Sequence, residues 1–382
     1  MNRREEPRFA VIGAGNGGCA MAAHLALMGF DVNLYNRSEK RIKPIRARGG
    51  IQLEGVEKGF ARLNLVTIDI EKAIRNTDVI MVTTPATAHR AIAHNIAPHL
   101  EEGQIVVLNP GRTGGALEFR NILKTHGINK DVIIAEAQTF IYACRVIGPA
   151  RAKIYGIKNV VAVAAIPAYK TMKVVEKLNV AYPQFIPASN VLETSFNNIG
   201  AIFHPAPTIL NSARIETTKG DFQYYIEGIS PSVTKVIEKM DEERVRVAKA
   251  LGAKAITAME WLKYTYDAEG SNLYEAIQNA KGYKGLKAPD NIYTRYIFED
   301  VPESLVPISS IGKMVGVETP IINSVIQMAC AMHDVDYWKE GRTAEKLGLV
   351  NMSPEMIYQL VTEGDVYEEG FADEEALEGS VA

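Results

Sequence analysis

One run of residues limits the possible folds of this 382-residue chain more than any other. The apolar segment Ala10-Val11-Ile12 leads into Gly13-Ala14-Gly15-Asn16-Gly17-Gly18, and that into the alanine-rich Cys19-Ala20-Met21-Ala22-Ala23-His24-Leu25. A strand, a GxGxxG turn, a helix and a second strand beginning near Val32 make the opening of a βαβ unit that binds a dinucleotide. The glycines have separate duties there. Gly13 permits the tight bend, Gly15 lets the backbone approach a pyrophosphate, and Gly18 lets helix and strand pack closely. The helix N-terminus that follows offers unpaired N–H groups and partial positive charge to phosphates, and Asn16 and Gly17 are counted with the cofactor-binding residues. Glycine-rich turns are common, so the flanking elements carry the inference.

From Phe9 to about Ile166, short apolar runs alternate with helical patterns. The runs are Phe9–Ile12, Val32–Tyr35, Val79–Thr83, Ile105–Leu108 and Val132–Ile134, with Val160–Ile166 as a further strand. Continuous apolar runs suit strands buried on both faces, as in a parallel sheet with crossover helices. Around Pro183–Asn190 the character changes and helical periodicity takes over. Ser230-Pro231 reads as a helix start. Val233, Val236, Ile237, Met240, Val247 and Leu251 follow at helical spacing, with Glu242, Glu243, Arg244 and Arg246 on the other face and Gly252 as a stop. Further helices are expected over Asn272–Asn279, Ser309–Val315 and Pro320–Met332. The fold class expected is α/β: an N-terminal Rossmann-type parallel-sheet dinucleotide-binding domain over 1–188, a mostly α-helical catalytic domain over 189–366, and an acidic tail over 367–382.

The second strand ends in Tyr35-Asn36-Arg37-Ser38. An NAD-selective site places Asp or Glu here to bind the ribose hydroxyls. Asn36 brings no charge to repel a 2′-phosphate, and Arg37 can bind one, so NADP is expected in preference to NAD. The alternative is that Arg37 points to solvent. Thr84-Pro85 after one strand and Asn109-Pro110-Gly111 after the next stand where carboxyl ends of strands face a ligand. Asn-Pro-Gly is equally a good turn by itself.

Among seven histidines, His204 stands apart, between Phe203 and the Pro205-Ala206-Pro207 run at the start of the helical part. A near-neutral pKa suits it to acid/base chemistry, although a structural histidine is the commoner case. His24 reads as a packing or solvent-edge residue. His89, His94 and His99 fall in one surface segment at a spacing that forms no metal site, and His126 and His333 look exposed. In Arg295-Tyr296-Ile297-Phe298-Glu299-Asp300, Arg295 can pair with a substrate carboxylate, and either acid can orient an imidazole.

Several segments resemble the octopine/nopaline (opine) dehydrogenase family: the glycine loop, Leu108-Asn109-Pro110-Gly111-Arg112-Thr113-Gly114-Gly115, Phe203-His204-Pro205-Ala206-Pro207, Phe222–Val233 and Arg295–Pro302. The likeness runs from Phe9 to about Leu349 and is nearest to bacterial members. It implies reductive condensation of an amino acid with a 2-oxo acid such as pyruvate. It further implies that His204 is the acid/base, Asp300 its support and Arg295 a carboxylate ligand. Asn36-Arg37 departs from NAD-using relatives.

Two other readings share this pattern. One is a two-domain 2-oxo-acid reductase of the ketopantoate reductase or glycerol-3-phosphate dehydrogenase type, which needs a lysine proton donor; Lys170, Lys173 and Lys177 lie in no distinctive motif. The other is a nucleotide-sensing protein without catalysis. A net charge of −3 gives no reason to expect nucleic-acid or membrane partners. Three scattered cysteines and a polar start without a signal-like apolar stretch lead to the expectation of a cytoplasmic protein, with a homodimer as its possible assembly.

Overall fold

A computed structural model describes residues 6–365; the acidic tail expected over 367–382 lies outside them. The first four long-range strands are β1 (Phe9–Ile12), β2 (Val32–Tyr35), β3 (Gly50–Gly55) and β4 (Gly59–Arg62). They are followed by β5 (Leu65–Thr67), β6 (Val79–Val82), β7 (Ile105–Leu108) and β8 (Ile133–Ala137). The last are β9 (Tyr142–Gly148), β10 (Arg151–Ile157), β11 (Val161–Ile166) and β12 (Phe185–Pro187). Eight of them form one sheet in the order β12-β11-β8-β7-β6-β1-β2-β5. All neighbours run parallel except β11, which runs antiparallel to β8. The central strands are buried at every residue, as their unbroken apolar text requires.

Register decides where ligands can bind. Ile12 pairs with Tyr35 on one side and Val82 on the other, and Val82 pairs with Leu108. The loops after β1, β2, β6 and β7 therefore leave the sheet side by side, at its carboxyl edge.

A second sheet, β4-β3-β10-β9, was not expected. Its strands are half-exposed and mix polar with apolar residues, so they carry no continuous apolar run. The helix Asn16–Leu27 shares one core with both sheets, which leaves Gly18–Leu25 buried at every position. Its run of small residues suits that crowding.

From Asn190 onward the elements are helical until Glu363. The helix Pro231–Ala250 starts where Ser230 Oγ accepts the Val233 N–H, and Gly252 follows it at φ +70°. Its polar side is only in part a solvent face: Glu242 and Arg246 are exposed, as expected, but Glu243 and Arg244 are buried. Glu243 accepts the N–H groups of Ile321 and Ile322 at 2.9 Å each, capping the helix Pro320–His333. Arg244 pairs with Asp241 and donates to the carbonyls of Phe196 and Ile256. Protein covers part of this face, so these two charged residues serve neighbouring backbone groups instead of water. His89 and His333 are likewise buried, not exposed. The last helix, Pro354–Glu363, returns to pack beside β11. No helix among the described residues is long and apolar enough to cross a membrane.

One fully buried cation fastens the helical part to the β6 and β7 loops. Arg342 Nε donates to Glu118 Oε2 at 2.8 Å and lies 2.7 Å from Glu303 Oε2. Its Nη1 donates to the Gly111 carbonyl at 2.8 Å, and its Nη2 meets His89 Nδ1 at 3.1 Å. Burial pushes both carboxyls up; Arg342 and Arg90 outweigh it at Glu118, held below its ordinary value, while Glu303 stays above. Arg342→Met leaves Glu303 buried without its cation and Glu118 with Arg90 alone. A loss of about 3–5 kcal/mol is expected, read as a lower urea midpoint; an unchanged midpoint would show that the network carries no net stability.

Candidate active site

His204 sits between the short helices Gly200–Phe203 and Pro205–Leu210. Pro205 is tolerated there because a first helical position needs no N–H donor. The His204 carbonyl accepts from Tyr224 OH at 2.7 Å and Thr208 Oγ1 at 2.8 Å. The ring stacks on Tyr296, with centroids 4.1 Å apart and planes within 14°. Nδ1 donates to Asp300 Oδ2 at 2.8 Å. With that bond fixing Nδ1–H, Nε2 is the free nitrogen, and the ring lines a cleft of about 600 Å³.

Asp300 is fully buried and shares its other oxygen with Arg112, whose Nη1 lies 2.5 Å from Oδ1. Arg112 also donates to Asn198 Oδ1 at 3.2 Å and places Nε 3.7 Å from Glu299 Oε1. Glu299, 1% exposed, accepts the Ala86 N–H at 3.0 Å and pairs with Arg295 Nε. Burial pushes its carboxyl up, but Arg112, Arg295 and the Ala86 N–H outweigh that and bring it down to about 2. Geometry thus divides the two acids: Asp300 holds the imidazole, and Glu299 holds Arg295 and the loop after β6. More than half of the Arg295 side chain remains exposed, on the cleft.

The cleft is walled by residues that follow β7 and β8, among them Pro110, Arg112, Thr139 and Phe140, and by Phe203, Tyr225, Trp261 and Tyr283 of the helical part. Tyr225 and Tyr283 stack at 3.9 Å. Lys170, Lys173 and Lys177 do not line it.

The glycine loop is built for a ligand. Gly13 has φ +112°, and a Cβ on Gly18 would stand 1.6 Å from the Gly13 carbonyl oxygen. Nothing lies within 4 Å of where a Gly15 Cβ would be, and the helix that follows has no side-chain cap. An open backbone approach and uncapped N–H groups fit a pyrophosphate. Thr84 packs against Gly13 and has a buried hydroxyl without a partner, and Pro85 is exposed beside it.

Three of the expected contacts are arranged differently. Asn16 Oδ1 accepts the Val146 N–H at 2.8 Å, so its side chain ties the loop to β9. Asn36 Oδ1 accepts the Ala14 N–H at 3.0 Å, and its Nδ2 donates to the Ser38 carbonyl. Its amide shapes the glycine loop instead of reaching outward. Asn109 is buried and donates to the Val107 carbonyl at 2.8 Å, which leaves Pro110 as the residue of that turn facing the cleft. Arg37 is exposed, with no ion-pair partner among the described residues. Gly17 lies beneath Phe140, whose Cζ would stand 2.6 Å from a Cβ. Arg112, Phe140 and Tyr296 were not singled out from the sequence as site residues. Arg112 and Tyr296 left a trace, within the Asn-Pro-Gly-Arg and Arg-Tyr segments, but the φ of +61° at Arg112, its buried partners and the stacking of Tyr296 on His204 depend on the folded chain.

A glycine-loop sheet and a helical layer with an Asp–His pair at their junction define a two-domain nicotinamide-dependent dehydrogenase. Residues 187–333 match the family model of the NAD/NADP octopine/nopaline dehydrogenase α-helical domain, and residues 9–132 match that of ketopantoate reductase PanE/ApbA. The chain is 43% identical over 350 residues to an opine dehydrogenase of Arthrobacter sp. (strain 1C), covering 91% of this chain and 97% of the relative. In structure it resembles octopine dehydrogenase in complex with NADH and agmatine, at a TM-score of 0.79 and 22% identity, over 95% of this chain and 100% of that one. Yersinopine dehydrogenase with NADP+ bound superposes at a TM-score of 0.70 and 15% identity, over 94% and 98%. The chain belongs to the opine dehydrogenase family, NAD(P)-dependent oxidoreductases that act on a CH–NH bond and join an amino acid to a 2-oxo acid.

Glu299 generates a pH prediction. Its folded-state pKa lies below the unfolded one, so its contribution is complete above about pH 5 and is lost as pH falls toward 2. The unfolding free energy of the parent is expected to fall about 2 kcal/mol more between about pH 5 and 3 than that of Glu299→Gln. Urea titrations across that range measure it; parallel curves would show that Glu299 is not held ionised.

Proposed function

We propose that this protein catalyses the NADPH-dependent reductive condensation of pyruvate with the α-amino group of an amino acid. The observation that carries the reading is the His204–Asp300 pair, with Nε2 free and Arg295 on the same cleft. Arg295 binds the oxo-acid carboxylate through the guanidinium nitrogens not engaged by Glu299. His204 gives its Nε2 proton to the carbonyl oxygen as the amine adds, takes a proton back from the added nitrogen, and returns it as the carbinolamine loses that oxygen as water and becomes the imine. Asp300 keeps the ring oriented and favours its cationic form. Arg112 offsets the negative charge of Asp300 in a site without bulk water. The nicotinamide, when bound along the glycine loop, supplies the hydride. The aromatic wall excludes water around the imine carbon.

Arg37 supports NADP as the preferred cofactor, because an exposed unpaired guanidinium after β2 suits a 2′-phosphate. The related structures include one with NADH and one with NADP+, so residues of this chain must decide. Three free cysteines suit a reducing compartment, and the cytoplasm is the proposed location.

The purified protein is expected to oxidise NADPH only when pyruvate and an amino acid are both present, screened across the twenty amino acids. Turnover with pyruvate alone would make it a simple 2-oxo-acid reductase. His204→Ala is expected to lower kcat about 10²–10⁴-fold while cofactor affinity, read by fluorescence titration, stays unchanged; full activity would exclude His204. Arg37→Ala should raise the KM for NADPH about tenfold more than that for NADH, and equal changes would refute a 2′-phosphate contact.

A further inference from the structure

Four basic side chains line the cleft: Arg112, Lys158, Lys254 and Arg295. Arg112 and Arg295 are matched by the buried carboxylates Glu299 and Asp300. Lys158 and Lys254 have no ion-pair partner among the described residues; Lys254 is exposed in the helical part, with His204 and Arg295, which leaves Lys158 as the unmatched cation of the sheet side. Its Nζ donates to Thr139 Oγ1 at 2.6 Å, and no carboxylate of the described residues pairs with it. The residue reaches solvent, yet protein crowds its ammonium and desolvation lowers the pKa to about 8. At about 8 the group is still mostly a cation near neutral pH, held on the cleft wall without a counter-charge, and an arriving anion can pair with it.

Its place in the fold says which anion. Lys158 precedes β11 and Thr139 follows β8, two adjacent strands, and the Lys158 N–H donates to the Ile141 carbonyl. Both residues therefore belong to the sheet side of the cleft, at the end of β8, where the next residue, Phe140, packs on Gly17. His204 and Arg295 belong to the helical side. The condensation brings two carboxylates together on either side of one new C–N bond. Arg295 serves the one whose carbonyl must meet His204, and the second needs a cation of its own.

We propose that Lys158, steadied by Thr139, binds the α-carboxylate of the amino-acid substrate. This assignment rests on the function proposed above. It makes the enzyme select α-amino acids over simple amines by charge.

Steady-state kinetics on the full chain test it, using the amino acid turned over fastest in the screen and its decarboxylated amine. The parent should prefer the amino acid at least about 100-fold in kcat/KM, as expected of a charge-assisted contact in a sheltered site. Lys158→Met should raise the amino-acid KM about tenfold or more and shrink that preference below about tenfold, with the KM for pyruvate and for NADPH within about twofold. Lys158→Arg should restore most of the preference. A KM increase confined to pyruvate or to NADPH would overturn the assignment, placing Lys158 on the oxo acid or the cofactor phosphates. A collapse of kcat at constant KM would overturn it too, making Lys158 an acid/base, and so would unchanged kinetics. If the parent shows no amino-acid-dependent turnover, the proposed function fails by itself. Calorimetry with 2,2′-iminodipropionate still reads the site in that case: Lys158→Met should weaken binding about tenfold, and equal affinity would overturn the proposal. Thermal unfolding of each variant identifies any that misfold, and for these Lys158→Gln takes the place of Lys158→Met.

Discussion

Glu299 and Asp300 are consecutive carboxylates, both buried, and the junction between sheet and helices is organised around them. Two such groups cannot leave water without partners in good geometry. Arg112 approaches both, Arg295 takes one oxygen of Glu299, His204 takes one of Asp300, and the Ala86 N–H supplies a further donor. Pairing of this sort is weak evidence for stability, since apolar residues can often do as well. It does specify a single arrangement. Ala86 comes from the loop after β6, Arg112 from the turn after β7, and the rest from the helical layer, so neutralising two charges sets the relative position of three distant segments.

The sequence was readable where structure is local. The strand–glycine–helix opening, the central strands and the start of the helix at Ser230 each follow from a few adjacent residues. The small sheet left no comparable sign, because β3, β4, β9 and β10 are half-exposed and lack apolar runs. Amphipathic logic misplaced Glu243 and Arg244 for a related reason: it gives one whole face of a helix to water, and protein covers part of that face on the helix Pro231–Ala250 while Glu242 and Arg246 stay exposed. His89 and His333 were misjudged in the same way.

The site shows the same boundary. His204 and Asp300 are 96 residues apart, and the residues alone left the choice between Glu299 and Asp300 open. Only a family likeness selected one, and the folded chain gives the physical reason in the direction each acid faces. Arg112, Tyr296 and Phe140 gain meaning solely from what they touch across the fold. The sheet contributes backbone amides and tight turns, which are legible as glycine spacing, whereas the helical layer contributes charged and aromatic side chains whose partners are long-range.

Phe140 resting on Gly17 joins these two kinds of information. Gly17 belongs to a motif always credited to the nucleotide, yet the atoms that a methyl group would displace here are those of a ring that also borders the substrate cleft. The missing side chain at Gly17 is therefore space lent to the reactant side. A change at that position would be felt as altered selectivity for what is reduced, even where grip on the reductant is intact.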